Sequence, residues 1–223
     1  MPEDLRRLLR LIERIGRSIV QAPARWRARQ WAVFIAIAAA TLAACLEKRA
    51  VQAFVQRGDG EVERALASFA NTYGSGVAMT WLGVIAYVLG RWGHKRAVVD
   101  TAIVFAAAGL WCWVLMKIGQ FVLAERRPNE GGAMRFFAMD GHGVSGHASA
   151  AALLYWPVRD VLARGVRVPV RRAVGAALIA WAVFVGWSRV WLGMHFVWNV
   201  VLGFAIGGFT GFVATHRAQT RPP

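Results

Sequence analysis

Long apolar runs separated by short polar segments dominate this chain. Gln30–Leu46, Thr72–Gly90 and Phe196–Thr215 carry no charged residue, and Thr101–Leu123 carries only Lys117. Runs of about 17–25 apolar residues match the thickness of a bilayer's hydrocarbon core. Each of these four runs therefore predicts a helix that crosses a membrane.

Two shorter apolar stretches, Ala148–Val158 and Ala173–Ser188, predict two further spans, although Arg159 and Asp160 end the first abruptly. Within a bilayer, a spanning segment must satisfy its own backbone hydrogen bonds, and the sequence lacks the alternating pattern of barrel strands. The prediction is an all-α membrane bundle of about six spans, forming one domain over residues 30–215.

The segments that precede, connect and follow the predicted spans also have a pattern. Residues 1–29 are basic, and leucines and isoleucines recur there at helical spacing, which predicts an amphipathic helix on the cytoplasmic leaflet. A disordered basic tail is the alternative. Residues 47–73 predict interfacial helix around a turn at Gly58-Asp59-Gly60, residues 124–146 predict a loop, and residues 216–223 predict a short cytoplasmic tail.

Composition and charge agree with a membrane protein. The chain is 57% hydrophobic, has a mean hydropathy of +0.41 and carries a formal net charge of +15. If the N-terminus is cytoplasmic, the cytoplasmic segments hold 18 of the 27 lysines and arginines, whereas both large outer segments are balanced in charge. This asymmetry follows the positive-inside rule and predicts that both termini are cytoplasmic. Membrane lipids, and not nucleic acid, are the predicted partners of the basic charge.

Three polar clusters fall at one predicted face of the membrane. They are Lys117, Gln120 and Arg127 at the end of the third span; Ser145, Gly146 and His147 before the fourth; and Arg189, His195 and Asn199 between the fifth and sixth. Taken singly, the arginines could be solvated charges, the serine a helix N-cap and the lysine a snorkelling side chain. Their convergence favours a site.

The residue types suit phosphate chemistry. Arginine offers a planar fork of donors to a tetrahedral oxyanion, and the first N–H groups of a helix that opens at Ser145 can bind an anion. Two histidines supply a nucleophile and a proton donor. Asn199 lies four residues after His195, so we expect its amide to hydrogen-bond the imidazole and orient it.

The pattern resembles the type 2 phosphatidic acid phosphatase superfamily, which includes lipid phosphate phosphatases, glucose-6-phosphatase and vanadium haloperoxidases. Its motifs are Lys, six residues, Arg-Pro; then Pro-Ser-Gly-His; then Ser-Arg, five residues, His, three residues, Asp. The resemblance covers about residues 116–211 and is most specific at Ser188–His195.

The resemblance implies a role for each matched residue. His195 would attack phosphorus and carry a phosphohistidine, while His147 would protonate the leaving group and then activate water. Phosphoryl oxygens would be held by Arg127, Arg189, Ser145 and the Gly146 backbone. The family uses no metal or other cofactor, so none is expected here.

Three positions depart from the family pattern. Val144 replaces the proline of the second motif, and Gln120 replaces the lysine of the first, with Lys117 three residues earlier as a substitute cation. Asn199 replaces the aspartate of the third motif. An amide can accept the imidazole N–H, but it does not stabilise the imidazolium by charge.

The predicted function is hydrolysis of a lipid phosphate or diphosphate at the periplasmic face of a bacterial inner membrane. Undecaprenyl diphosphate, lipid A phosphate and phosphatidate-type substrates all fit this prediction. One alternative is a lipid phosphotransferase that uses the same phosphohistidine. Another is a catalytically impaired lipid-binding or transport protein, which Gln120 and Asn199 would favour.

Overall fold

The computed structural model describes residues 3–57, 60–162 and 165–219. These residues form the α-helices α1 (Glu3–Arg25), α2 (Ala28–Leu46), α3 (Lys48–Val55), α4 (Glu61–Tyr73), α5 (Gly76–Trp92), α6 (Arg96–Val122), α7 (Gly146–Leu153), α8 (Val168–Trp191) and α9 (Val197–Gln219). A 3₁₀ turn at Pro128–Glu130 and a π-helical segment at Pro157–Leu162 complete the helical structure of the described ranges. Their only β-type contact is an isolated bridge between Leu123 and Phe136. The predicted all-α class is confirmed.

Helices α2, α6, α8 and α9 are long and apolar enough to cross a membrane. Helices α4 and α5 meet at an angle of 54°, the geometry of either a broken fifth span or a re-entrant loop. The chain is therefore a multi-pass membrane protein. The fourth predicted span, Ala148–Val158, is different: α7 ends at Leu153 and the chain continues as the π-helical segment. A total of six spans stays a prediction.

Other predicted segments keep their helical character. Residues 47–73 contain α3 and α4, while Gly58 and Asp59 of the predicted turn lie outside the described residues. The predicted amphipathic helix is α1, and it packs against the bundle: Leu11 and Ile15 are buried, and Trp111 on α6 donates a hydrogen bond to the Ile12 carbonyl (2.8 Å). Within residues 3–25, a disordered tail is therefore excluded.

A stripe of glycines on α9 brings this helix close to α7. A Cβ atom added at Gly203 would lie 2.7 Å from the Ser145 carbonyl oxygen, and one at Gly207 would lie still closer to the Ser149 carbonyl. Gly211 continues the stripe one turn further. Small residues at four-residue spacing allow helix backbones to approach closely within a membrane. This contact fixes the start of α7 against the start of α9, where two of the predicted clusters lie.

Candidate active site

The three polar clusters meet at one end of the bundle. Ser145 N–H donates to the Asn199 carbonyl (3.1 Å), which joins the second cluster to the third. Arg127 Nη1 lies 3.7 Å from the sulfur of Met194, next to His195, which joins the first cluster to the third. The convergence that the topology predicts is therefore present in the fold.

A tight turn after α8 brings His195 back towards Arg189. Gly193 has a φ of +64°, a left-handed conformation that favours glycine. The N–H groups of Met194 and His195 then both donate to the Arg189 carbonyl, at 3.0 and 3.1 Å. His195 is consequently fixed by backbone hydrogen bonds and not by its own side chain.

The His195 imidazole is buried, with 7% of the residue exposed. Its Nδ1 has no hydrogen-bond partner among the described residues. Burial lowers the pKa of His195 well below its usual value, and nearby positive charges lower it further: those of Arg189, His142, His147 and Arg127. The imidazole is therefore neutral at physiological pH, as an attacking nitrogen must be.

Asn199 does not hold the His195 ring. Its Oδ1 accepts the Phe196 N–H (2.7 Å), and its Nδ2 donates to the Gly143 carbonyl (3.0 Å) and to Glu125 Oε2 (3.4 Å). The predicted Asn199–His195 hydrogen bond is therefore wrong. Residues four apart share a face only within one helix, and α9 begins at Val197, after the histidine.

Asn71, near the end of α4, contacts both a predicted phosphate ligand and a predicted acid. Its Oδ1 accepts a hydrogen bond from Arg189 Nη1, and its backbone carbonyl lies 3.1 Å from His147 Nε2. A carbonyl oxygen only accepts, so Nε2 carries the proton in this contact. Sequence reasoning missed Asn71 because a single amide in a mixed amphipathic segment gives no motif.

The Gln120 and Lys117 side chains lie in different surroundings. Gln120 Nε2 donates to the Val144 carbonyl (2.8 Å), so it holds the loop that leads to Ser145. Lys117 is exposed on α6 and forms no ion pair within the described ranges. Its charge contributes to the lowered pKa of His142, after burial and Arg127. A phosphate contact by either side chain stays a prediction.

Ser145 is fully buried and acts as the N-cap of α7, with its hydroxyl facing the Ala148 N–H. Its carbonyl accepts from both the N–H (3.0 Å) and the hydroxyl (2.9 Å) of Ser149. The N-cap role that the sequence also allows for this serine is therefore present. Phosphate binding by Ser145 and the adjoining Gly146 backbone stays a prediction.

An ion pair between a partly buried lysine and a buried glutamate lies next to the site. Glu125 Oε1 lies 2.5 Å from Lys48 Nζ on α3, and the Glu125 carbonyl accepts the His142 N–H (2.9 Å). Sequence analysis grouped both residues with the charge-balanced outer segments and gave neither a role. Among the described residues, no group of three or more His, Cys, Asp or Glu side chains is placed to hold a metal ion.

An apolar cavity of about 1110 Å³ leads away from His147. It runs along α5 from Gly76 to Tyr87 and along α6 from Ala102 to Met116, and it ends at Asp4, Leu5 and Leu8 of α1. At 1.5 Å per helical residue its length is about 20 Å, more than the roughly 15 Å depth of one hydrocarbon leaflet. An alkyl chain beside His147 would fit this cavity.

Comparison with known proteins agrees with the motifs. Residues 121–223 match the sequence model of the PAP2 superfamily, and this range contains Arg127 together with the second and third clusters. The resemblance that the motifs predict is confirmed over residues 121–223, which are similar to the PAP2 superfamily.

A solved structure shares the fold over nearly the whole chain. It is the crystal structure of a transmembrane PAP2-type phosphatidylglycerolphosphate phosphatase from Bacillus subtilis. The TM-score is 0.55 at 21% identity, with 96% of this chain and 97% of the other covered. The likeness therefore extends to α1–α6, which the family match largely omits.

Proposed function

We propose that this protein is a lipid phosphate phosphatase that acts through a phosphohistidine on His195. The observation that carries the proposal is the site itself: a buried neutral imidazole flanked by two arginines, beside a second histidine that opens onto an apolar cavity. The family match and the Bacillus subtilis phosphatase agree with a phosphatase of membrane lipids.

In the first step, His195 Nε2 attacks phosphorus while the bond to the leaving oxygen breaks. His147 gives its proton to that oxygen, so the alcohol or phosphate leaves neutralised. Arg127 and Arg189 balance the charge on the equatorial oxygens. In the second step, His147 takes a proton from water, the hydroxide attacks phosphorus, and inorganic phosphate leaves His195.

The cavity supports the lipid part of the proposal. A substrate whose phosphate lies between the two histidines would extend its alkyl chain from His147 along α5 and α6. Phosphatidate-type lipids, lipid A phosphate and undecaprenyl diphosphate all present such a chain. By the distribution of basic residues, the site would face the periplasm of a bacterial inner membrane, with both termini in the cytoplasm.

The test is phosphate release by detergent-purified protein from phosphatidate, phosphatidylglycerol phosphate, undecaprenyl diphosphate and lipid A phosphate, with and without EDTA. We expect EDTA-insensitive release from at least one lipid and none from the His195→Ala variant. Turnover of the lipid phosphate that requires an added lipid acceptor and releases no inorganic phosphate would identify a phosphotransferase instead. Lipid binding without any turnover would contradict the proposal and favour an impaired, lipid-binding member.

A further inference from the structure

A buried carboxylate lies beneath the turn that carries His195. Glu125 is 1% exposed, although it belongs to a loop. One of its oxygens pairs with Lys48 Nζ at 2.5 Å, and the other lies 3.4 Å from Asn199 Nδ2. Burial of an ionised carboxylate is unfavourable unless it is both paired and hydrogen-bonded, and Glu125 meets both conditions.

Asn199 connects this carboxylate to both catalytic segments. Its side chain accepts the N–H of Phe196, the residue after His195, and donates to the Gly143 carbonyl in the loop before Ser145. Its backbone carbonyl accepts the Ser145 N–H. The residue is 2% exposed, so water does not replace these contacts.

Lys48 completes the arrangement from α3. Its ammonium lies 5.0 Å above the centre of the Phe196 ring and 3.3 Å from the Gly132 carbonyl, in addition to the Glu125 contact. The Lys48 side chain is 18% exposed. One cation, one carboxylate and one neutral amide therefore share a largely buried volume under the His195 turn.

We propose that Glu125 and Asn199 form a positioning pair that sets His195 against Ser145, with the single negative charge of the pair on Glu125 and a neutral side chain required at position 199. The inference rests on the proposed phosphatase activity. It explains why asparagine stands where the family pattern has aspartate, without any contact between Asn199 and the imidazole.

The physical reason is the chemistry of the alternative residue. Aspartate at position 199 would lose the donor to the Gly143 carbonyl and would place a second carboxylate against Glu125. Two buried carboxylates at that separation repel each other, so the pair binds a shared proton at a higher pH than an isolated carboxylate would, and above that pH both are charged. The titratable groups around the pair are Lys48 from α3, His142 from the loop before α7 and His195 from the turn before α9.

The experiment compares Asn199→Asp, Glu125→Gln and the double variant, measuring kcat on one short-chain lipid phosphate and the unfolding temperature in the same detergent. Each single variant should lose about tenfold or more in kcat, because each leaves a buried polar or charged group unpaired. The double variant has one carboxylate again. Its kcat relative to the wild type should exceed the product of the relative kcat values of the two single variants by about fivefold or more. That factor is within the range of coupling between residues in contact.

A pH series separates charge from general damage. As the pH falls, one carboxyl of Asn199→Asp takes up a proton, so the ratio of its kcat to that of the wild type should rise. The comparison uses pH values above the acid limb of both proteins, where His195 is neutral in each. As a control, Thr210→Val on α9 removes a buried hydroxyl that bonds to the Ile206 carbonyl (2.8 Å), and its ratio should stay flat.

Wild-type kcat in Asn199→Asp, a flat ratio, or strictly multiplicative effects in the double variant would overturn the pair. If the wild type itself releases no phosphate, the proposed function fails separately. The unfolding temperatures of the same four proteins then still decide the pair, since additive shifts would show that the two residues do not interact.

Discussion

The two histidines of the site are held in contrasting ways. His195 lies in a turn fixed by backbone hydrogen bonds and supported by the buried Glu125–Asn199 pair. His147 is only half-buried, contacts one carbonyl of a distant helix and lines the apolar cavity. Rigid support suits a nucleophile that must meet phosphorus in line, whereas an open flank suits an acid that must meet varied leaving groups.

The largest effect should come from the nucleophile. His195→Ala should abolish phosphate release, because no other side chain can form the covalent intermediate. The matched control is His94→Asn, since His94 is exposed and has a left-handed φ of 53° that asparagine tolerates. Activity of His195→Ala within tenfold of the wild type would eliminate the phosphohistidine mechanism.

For His147, the loss of activity should depend on the substrate. His147→Ala should slow alkyl phosphates by about 10²–10⁴-fold, because their leaving oxygen needs a proton. In an aryl phosphate such as p-nitrophenyl phosphate, the phenolate leaves without that proton, so hydrolysis of this substrate should be slowed much less. Equal losses on both substrates would show that His147 does more than protonate the leaving group.

The pH profile should distinguish charge from geometry on the His195 side. Because burial and then the Arg189 charge lower the pKa of His195, the acid limb of kcat/KM should lie below the free-imidazole value of about 6.5. Arg189→Gln removes a positive charge, so the limb should move to higher pH. Arg189→Lys keeps the charge and should lower kcat without moving the limb as far. Coincident limbs for all three proteins would show that the arginine does not act on the imidazole by charge.

A smaller effect is expected at Asn71 on α4, which contacts both Arg189 and His147. Asn71→Ala removes the acceptor for Arg189 and keeps the backbone contact to His147, so kcat should fall about tenfold, in line with a lost hydrogen bond to a charged group. The neighbouring Thr72→Ala loses only a bond to its own helix, to the Ser68 carbonyl, and serves as the control. An unchanged kcat for Asn71→Ala would show that Arg189 is held without this amide.

The smallest effect concerns the cavity. Ala106 is exposed and lines it, so Ala106→Trp should raise KM several-fold for a long-chain lipid phosphate but not for a short-chain one. Ala180→Trp, on an exposed position of α8 outside the cavity, controls for added bulk. The same KM change for both chain lengths would mean that the alkyl chain lies elsewhere.

The spacing of apolar residues predicted the helices that are apolar, or amphipathic, over their whole length. The apolar runs correspond to α2, α5, α6, α8 and α9, and the basic amphipathic start corresponds to α1. The fourth span was harder, because α7 breaks after eight residues and no composition signal marks a π-helical turn. The predicted topology likewise placed the two histidines and two arginines at one end of the bundle.

Contacts between distant segments escaped sequence reasoning. Asn71 and Lys48 lie in the mixed segment 47–73, where polar residues are expected at an interface whether or not they do anything else. Glu125 gave no signal, because its burial depends on α3 packing beside the loop. The error at Asn199 came from extending helical spacing across a helix boundary.

The glycine stripe on α9 has a consequence for genetic variation in this protein. Gly207 lies ten residues after Val197, the first residue of α9, and thus about 15 Å along the helix axis from it. Even one methyl group there would push α7 away at the Ser149 carbonyl and carry His147 with it. Gly207→Ala would therefore be inherited as a loss-of-function allele. It would have this effect although the change is small, lies far from any reacting atom and hardly alters the hydropathy of the helix.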